Sequence, residues 1–184
     1  MANLMVEGER VSLRPVTLAD VGERYRGWLN DPDVNRYLET RFSVWTLDSI
    51  EGFVRSKRTA DGEFLLAICL PAGGEHIGNL KIGPINPHHR YADLSLFIGE
   101  KQHWGRGLAT EAIRLASGFA FGSLGLHKLE AGAYAANAAS IRAFERCGYK
   151  REGLRRGHFM SDGRWTDMVL LGLLAENFDS GTEE

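Results

Sequence analysis

The segment Phe97–Ala112, FIGEKQHWGRGLATEA, gathers the residues best suited to chemistry. Gly105 and Gly107 let the backbone turn tightly and approach a ligand with no Cβ in the way. Apolar spacing after them predicts a helix from about Leu108 to Phe121, whose first N–H groups are unpaired and carry partial positive charge. A glycine loop feeding a helix start is a seat for a phosphate or pyrophosphate; it is also what a strand–helix joint needs for packing. Nucleotide motifs fit badly: no GxxxxGK with Ser or Thr occurs, and the GxGxxG pattern opened by Gly105 ends on Thr110. Two carboxylates flank the segment, Asp93 and Glu100, each a candidate proton acceptor or a plain strand-end charge. Arg142 and Arg146, one helical turn apart, could meet phosphates or simply face solvent. The six histidines show no HxxxH and the two cysteines no CxxC, so no metal is expected. Cys147 reads as core packing, and so few cysteines suit a reduced, cytoplasmic compartment.

Period-two and helical patterns supply the elements that must position these groups. Glu9–Pro15 reads as a strand, and Thr17 with Asp20 as the start of a helix continued by Val21, Tyr25 and Trp28. Asn30-Asp31-Pro32 interrupts it, a short helix runs to Leu38, and Thr46 caps a third helix carrying Leu47, Ile50, Phe53 and Val54. Strands follow at Phe64–Leu70, His76–Ile82 and Tyr91–Gly99, the first two joined by a turn at 71–74. In the last of them Leu94, Leu96 and Ile98 share one face, and Asp93, Ser95 and Phe97 the other. After the glycine loop and its helix come a strand at His127–Ala136 and a helix capped by Asn137. Two final strands close around Ser161-Asp162-Gly163. The order β-α-α-α-β-β-β-α-β-α-β-β predicts an α/β (α+β) protein, a mixed sheet covered by helices.

The chain's 184 residues fit one domain, taken as 1–178, followed by a loose acidic tail at 179–184. With 22 basic against 24 acidic side chains the net charge is −2, which argues against a protein built to coat nucleic acid. No apolar run approaches the roughly 20 residues that span a bilayer, so no membrane partner is expected.

At this point the residues resemble a known superfamily, the GNAT N-acetyltransferases, which use acetyl-CoA. Their loop signature, Arg/Gln-x-x-Gly-x-Gly/Ala, fits in two registers. One is Gln102-x-x-Gly105-x-Gly107. The other, preferred because Leu108 begins the apolar stripe, is Trp104-x-x-Gly107-Leu108-Ala109. WGRGLATEA is also similar to the ribosomal-protein N-terminal acetyltransferase branch. NAASIRAFERCGYKREG resembles the family's later motif at Asn137, Ser140, Gly148 and Tyr149, and LRPVTLADVGERYRGWLND resembles its opening strand and helices.

The resemblance implies a mostly antiparallel sheet splayed between strands four and five, with acetyl-CoA as co-substrate and no metal. It implies that Phe97, Ile98 and Gly99 meet the pantetheine arm. Gln102, Trp104, Gly105, Arg106, Gly107, Leu108 and Ala109 would cradle the pyrophosphate, with Asn137, Ser140 and Phe144 also on the cofactor. Asp93 or Glu100 would serve as base. The family's usual acid, a Tyr on the last helix, is replaced by Phe144, leaving Ser140, water or direct thiolate departure. Trp28, Asn35 and His89 would face the acceptor. An α-amine with pKa near 8 costs about 1.4 kcal/mol to deprotonate at pH 7, so a strong base is not obligatory. The implied activity is direct acetyl transfer to a primary amine, on a nucleotide-linked amino sugar or a protein N-terminus; polyamines suit this chain less, since a polycation calls for a more acidic one. A homodimer is an expectation from relatives, and a non-catalytic acyl-CoA-binding module is the alternative reading.

Overall fold

The computed structural model describes residues 5–71 and 74–179; residues 180–184 of the expected tail and 72–73 of the expected turn lie outside them. Among the described residues, eight strands form one sheet in the order β1-β2-β3-β4-β5-β6-β8-β7. In chain order these are β1 (Val6–Glu7), β2 (Ser12–Pro15), β3 (Phe64–Cys69), β4 (His76–Asn86), β5 (Tyr91–Ile98), β6 (Lys128–Tyr134), β7 (Lys150–Ser161) and β8 (Arg164–Leu174). The helices are α1 (Glu23–Asn30), α2 (Pro32–Asn35), α3 (Leu47–Thr59), α4 (Leu108–Gly122) and α5 (Ala138–Arg146). All neighbouring strands are antiparallel except β5 and β6, which run parallel. This is the expected mixed, mostly antiparallel sheet flanked by helices. Strands four and five of the sequence reading are β5 and β6, because the two-residue β1 was too short to carry a period-two signal.

Each face of the sheet buries its own cluster. Leu94 and Leu129 pack with Ala112, Ile113 and Ala116 of α4 and Ile141 and Phe144 of α5. On the opposite face Tyr25, Trp28 and Leu29 of α1 and Ile50 and Val54 of α3 pack together, with Phe97 against them. The alternation read in β5 therefore decides which layer each residue meets.

Local chemistry sets most boundaries. Thr46 Oγ1 accepts from Ser49 N at 3.2 Å and Ser49 Oγ from Thr46 N at 2.9 Å, a reciprocal box that opens α3. Asn137 Oδ1 accepts from Ser140 N at 3.2 Å and opens α5. The β7–β8 hairpin turns on Asp162 and Gly163, both with φ above +50° or at it, as a two-residue primed turn requires. Two expectations need correction. The helix signalled at Thr17 is only a 3-10 turn, Leu18–Asp20, and α1 starts at Glu23. Asp20 is held by two hydrogen bonds from Arg14, at 2.6 and 2.8 Å, and the backbone runs extended through Val21 and Gly22. The second helix stops at Asn35, not Leu38; the Asn35 side chain turns inward and donates to Leu29 O at 2.8 Å.

Candidate active site

The site begins where the sheet comes apart. Parallel pairing between β5 and β6 covers three rows only, Tyr91–Lys128, Ala92–Leu129 and Asp93–Glu130. Beyond Asp93 the strands part, and Leu94–Ile98 have no β6 partner. Gly99 N donates to Ile77 O of β4 at 2.8 Å. Alternation along an antiparallel pair then assigns the backbone groups of Phe97 to β4 as well, and turns those of Leu94, Leu96 and Ile98 into the gap. Ile98 O accepts from Trp104 Nε1 at 2.8 Å, which leaves the N–H groups of Leu96 and Ile98 and the Leu96 carbonyl open. The expectation that Gly99 offers its N–H is thereby corrected: that group is already bonded, and its Cα is pressed against the Trp28 ring, where an added Cβ would lie 2.2 Å from Cδ2.

The glycine loop continues the same wall. Gly107, with φ 78°, is the residue before the first turn of α4, so the helix starts at Leu108. The first intrahelical bond runs from Glu111 N to Gly107 O, and among the described residues nothing accepts from the N–H groups of Leu108, Ala109 and Thr110. Arg10, at the end of the loop before β2, braces this turn. Its Nη1 donates to Arg106 O at 2.9 Å, while its N and Nε donate to Glu111 at 2.8 and 3.0 Å. A trans peptide points its C=O and N–H in opposite directions; with the Arg106 carbonyl held toward Arg10, the Gly107 N–H points the other way. Burial alone would raise the Glu111 pKa, but these bonds from Arg10 and one from Val11 N hold it below the ordinary value.

α5 forms the facing wall. Asn137, Ser140 and Phe144 line a cleft of about 620 Å³ together with Leu96, Ile98, Trp104 and the loop as far as Thr110. That size lies within the range of ligand clefts, roughly 300–1,000 Å³. Phe144 is 3% exposed and packs edge-on to Tyr149, with ring centres 5.0 Å apart. Cys147 Sγ donates to Thr110 O at 3.1 Å, and burial raises its pKa to about 11, so it ties α5 to α4 as a protonated packing group. Arg142 and Arg146 reach the cleft as well.

Several expected site residues lie elsewhere. Trp28 is buried among Tyr25, His76 and Phe97, with Nε1 donating to Glu100 at 3.2 Å; it supports β5 from behind instead of facing an acceptor. Asn35 is buried by its bond to Leu29. His89 stands in the β4–β5 turn, its N–H on Asn86 Oδ1, at the end of β5 away from the cleft. Glu100 is held by Trp28 and by Arg24 at 3.7 Å, and Gln102 is exposed on the turn before Trp104. Only the backbone of Arg106 enters the loop's bonding. Asp93 is exposed where the splay begins and does not line the cleft; partial burial, then Glu130, raise its pKa.

Three groups were missed. Arg10 carried no local signal, since its partners are about a hundred residues away. His103 lines the cleft with a buried Nε2 that meets no partner among the described residues. Tyr134, read only as a strand residue, also lines the cleft, and its hydroxyl donates to Glu39 Oε1 at 2.6 Å.

Comparison with known proteins adds the family. A model described as "Acetyltransferase (GNAT) domain" matches residues 10–150. The chain is 30% identical over 182 residues to the "Probable N-acetyltransferase YjcK" of Bacillus subtilis, covering 92% of this chain and 97% of that protein. Spermidine N-acetyltransferase from Vibrio cholerae, solved in complex with CoA and spermine, shares the fold with a TM-score of 0.83 at 23% identity, covering 91% of this chain and 97% of that one. Mycobacterium smegmatis RimJ in complex with CoA-disulfide does so with a TM-score of 0.78 at 23% identity, covering 90% and 82%. A family match from the entry to β2 as far as the first residue of β7 takes in the splay, the loop and both cleft helices, and this chain therefore belongs to the GNAT acetyltransferases, as an acetyl-CoA-dependent N-acetyltransferase.

Proposed function

We propose that the cleft binds acetyl-CoA between β5, the glycine loop and α5, and that its acetyl group passes directly to a primary amine entering from the α1–α2 side. The observation that carries this is two sets of unbonded backbone N–H groups on one cleft, Leu96 and Ile98 in the gap and Leu108, Ala109 and Thr110 at the start of α4. The first pair suits an amide-rich arm and a thioester oxygen; the second suits a diphosphate at a helix N-terminus. Trp104, Gly105 and Gly107 shape the loop, Phe97 and Phe144 supply apolar walls, and Asn137 with Ser140 presents polar atoms from α5. Arg142 and Arg146 offer charge to the remaining phosphate. When bound, acetyl-CoA supplies an activated acetyl thioester. The chain's own contribution is to hold it, polarise it and bring an amine to it.

For the acceptor we propose an amine on a nucleotide-linked amino sugar or at a protein N-terminus. This follows the motif resemblance, and the exposed cations Arg155 and Arg156 on β7 favour an acceptor that is not a polycation. Calorimetry with CoA tests the cofactor site, and a competitive acetylation screen of UDP-amino sugars, peptide N-termini and spermidine, read by mass spectrometry, tests the acceptor. Absence of heat with CoA would overturn the first assignment. Preference for spermidine would overturn the second.

A further inference from the structure

Acetyl transfer must remove a proton from the attacking amine, and neither expected carboxylate is placed to take it. Glu100 is held behind β5 by Trp28 and Arg24. Asp93 pairs with Glu130 at the closed end of the splay, while the open N–H groups of Leu96 and Ile98 lie three and five residues further on. Counting along both strands from the Asp93–Glu130 row sets Gly132 level with Ser95 and Tyr134 level with Phe97. Tyr134 is thus about 13 Å beyond the Asp93 row, at four residues of roughly 3.3 Å each, level with the open N–H groups and across the gap from them in the same cleft. It is on the correct face too. Tyr134 shares a side of the sheet with Glu130, hence with Asp93, Ser95 and Phe97, the side covered by α1 and α2.

The surroundings of Tyr134 hold it in one orientation. Its ring stacks on Phe159 with centres 3.9 Å apart and planes 9° from parallel, and the Arg41 guanidinium lies 4.9 Å from its centre. Arg41 Nη2 in turn donates to Met160 O at 2.6 Å, so the 39–42 turn is latched to the β7–β8 hairpin. The Tyr134 hydroxyl donates to Glu39, and Glu39 is exposed. The Arg41 guanidinium approaches the same hydroxyl, so an oxygen that gives its hydrogen to Glu39 and one lone pair toward Arg41 keeps its other lone pair for a donor in the cleft.

We propose that Tyr134 and Glu39 form the proton exit of this enzyme, a catalytic tyrosine that takes the amine's proton and a carboxylate that receives the tyrosine's own. The amine nitrogen forms its bond to the acetyl carbon and the C–S bond breaks. The amine's proton goes to the Tyr134 oxygen as the tyrosine's own proton goes to Glu39, and Glu39 returns it to water. The thiol product takes its proton from solvent at neutral pH. Burial, followed by the Glu39 contact, raises the Tyr134 pKa to about 12, so the tyrosine stays protonated and acts as a relay, not as a phenolate.

The inference rests on the acetyl-CoA reading, and the test separates the two. Tyr134→Phe keeps the ring stack and removes only the hydroxyl. With the wild-type's best acceptor, its kcat is expected to fall on the order of 100-fold, with CoA affinity by calorimetry and melting temperature nearly unchanged. Glu39→Gln, at an exposed site, is expected to lose at least tenfold in kcat with KM for the amine nearly unchanged, and Glu39→Asp to restore part of that loss. The double variant should be no slower than Tyr134→Phe alone, because the two groups serve one path. If both single variants turn over within threefold of wild type, or their losses multiply, the relay is wrong even though CoA binds. Absence of CoA binding to the wild type would instead overturn the cofactor reading.

Discussion

Arg10 acts on the loop through a single peptide. Its hydrogen bond to Arg106 O turns the Gly107 N–H away from β2, and its contacts with Glu111 fix the first turn of α4 to the same guanidinium. Removing that fork leaves the loop glycines free to rotate, because Gly105 and Gly107 have no Cβ to limit them. Arg10→Ala is therefore expected to weaken CoA about tenfold by calorimetry, or about 1.4 kcal/mol, with a much smaller effect on kcat. Arg10→Lys should recover only part of the loss, since an ammonium cannot span two acceptors in a plane as a guanidinium does. An equal fall in kcat and CoA affinity would show that the brace shapes the reacting centre as well.

At the scale of elements, β5 links the two layers. Its apolar stripe packs on α4, its other face carries Phe97 toward Trp28, and its end is clamped because Gly99 lets the indole approach within van der Waals contact. A Cβ at residue 99 would enter the Trp28 ring, so Gly99→Ala is expected to lower stability by roughly 2–3 kcal/mol by forcing α1 outward. Because Trp28 also bonds Glu100, that movement would disturb the strand end from which the cleft opens. A chemical-denaturation curve gives the first quantity, and CoA calorimetry on the same variant the second. A variant as stable as wild type would show that α1 is not held by this contact.

For the whole molecule, the polar groups between α1 and the sheet set the response to acid. Burial works against the Asp20 carboxylate, but hydrogen bonds from Arg14 and Thr17 more than compensate and lower its pKa to about 2. An acid whose folded pKa is depressed stabilises the fold above its ordinary value near 3.8 and loses that contribution as pH falls toward 2, here on the order of 2 kcal/mol. His76 adds to the trend. Burial depresses its pKa, with Nε2 on Asn79 Oδ1 at 2.7 Å, so below its ordinary value of 6.5 the unfolded chain takes up a proton that the folded one resists. Stability measured by urea titration should then decline first below about pH 6.5 and again below about pH 4. His76→Gln is expected to remove the first decline and leave the second; an unchanged profile in that variant would assign the loss to other groups.

How much of this was legible in the chain follows from the range of each interaction. Alternation in 91–98, the capping box at Thr46, the N-cap at Asn137, the Asp162-Gly163 turn and the glycines before α4 are local, so residue types a few positions apart determined β5, α3, α5, the final hairpin and the glycine turn that starts α4. Trp28 and Asn35 read as acceptor-facing because type and position alone do not say which side of a helix meets the sheet. Their burial was decided by packing against Gly99 and Leu29. Arg10, Glu39 and Tyr134 gain their partners only when β2, the turn after α2 and the end of β6 come together, across 101 residues for Arg10 and Glu111 and 95 for Tyr134 and Glu39. The sequence by itself specified a family and the glycine turn and helix start on which the cofactor proposal rests. Tertiary structure alone decided which side chains reach the proton, because that depends on where two diverging strands bring their ends level.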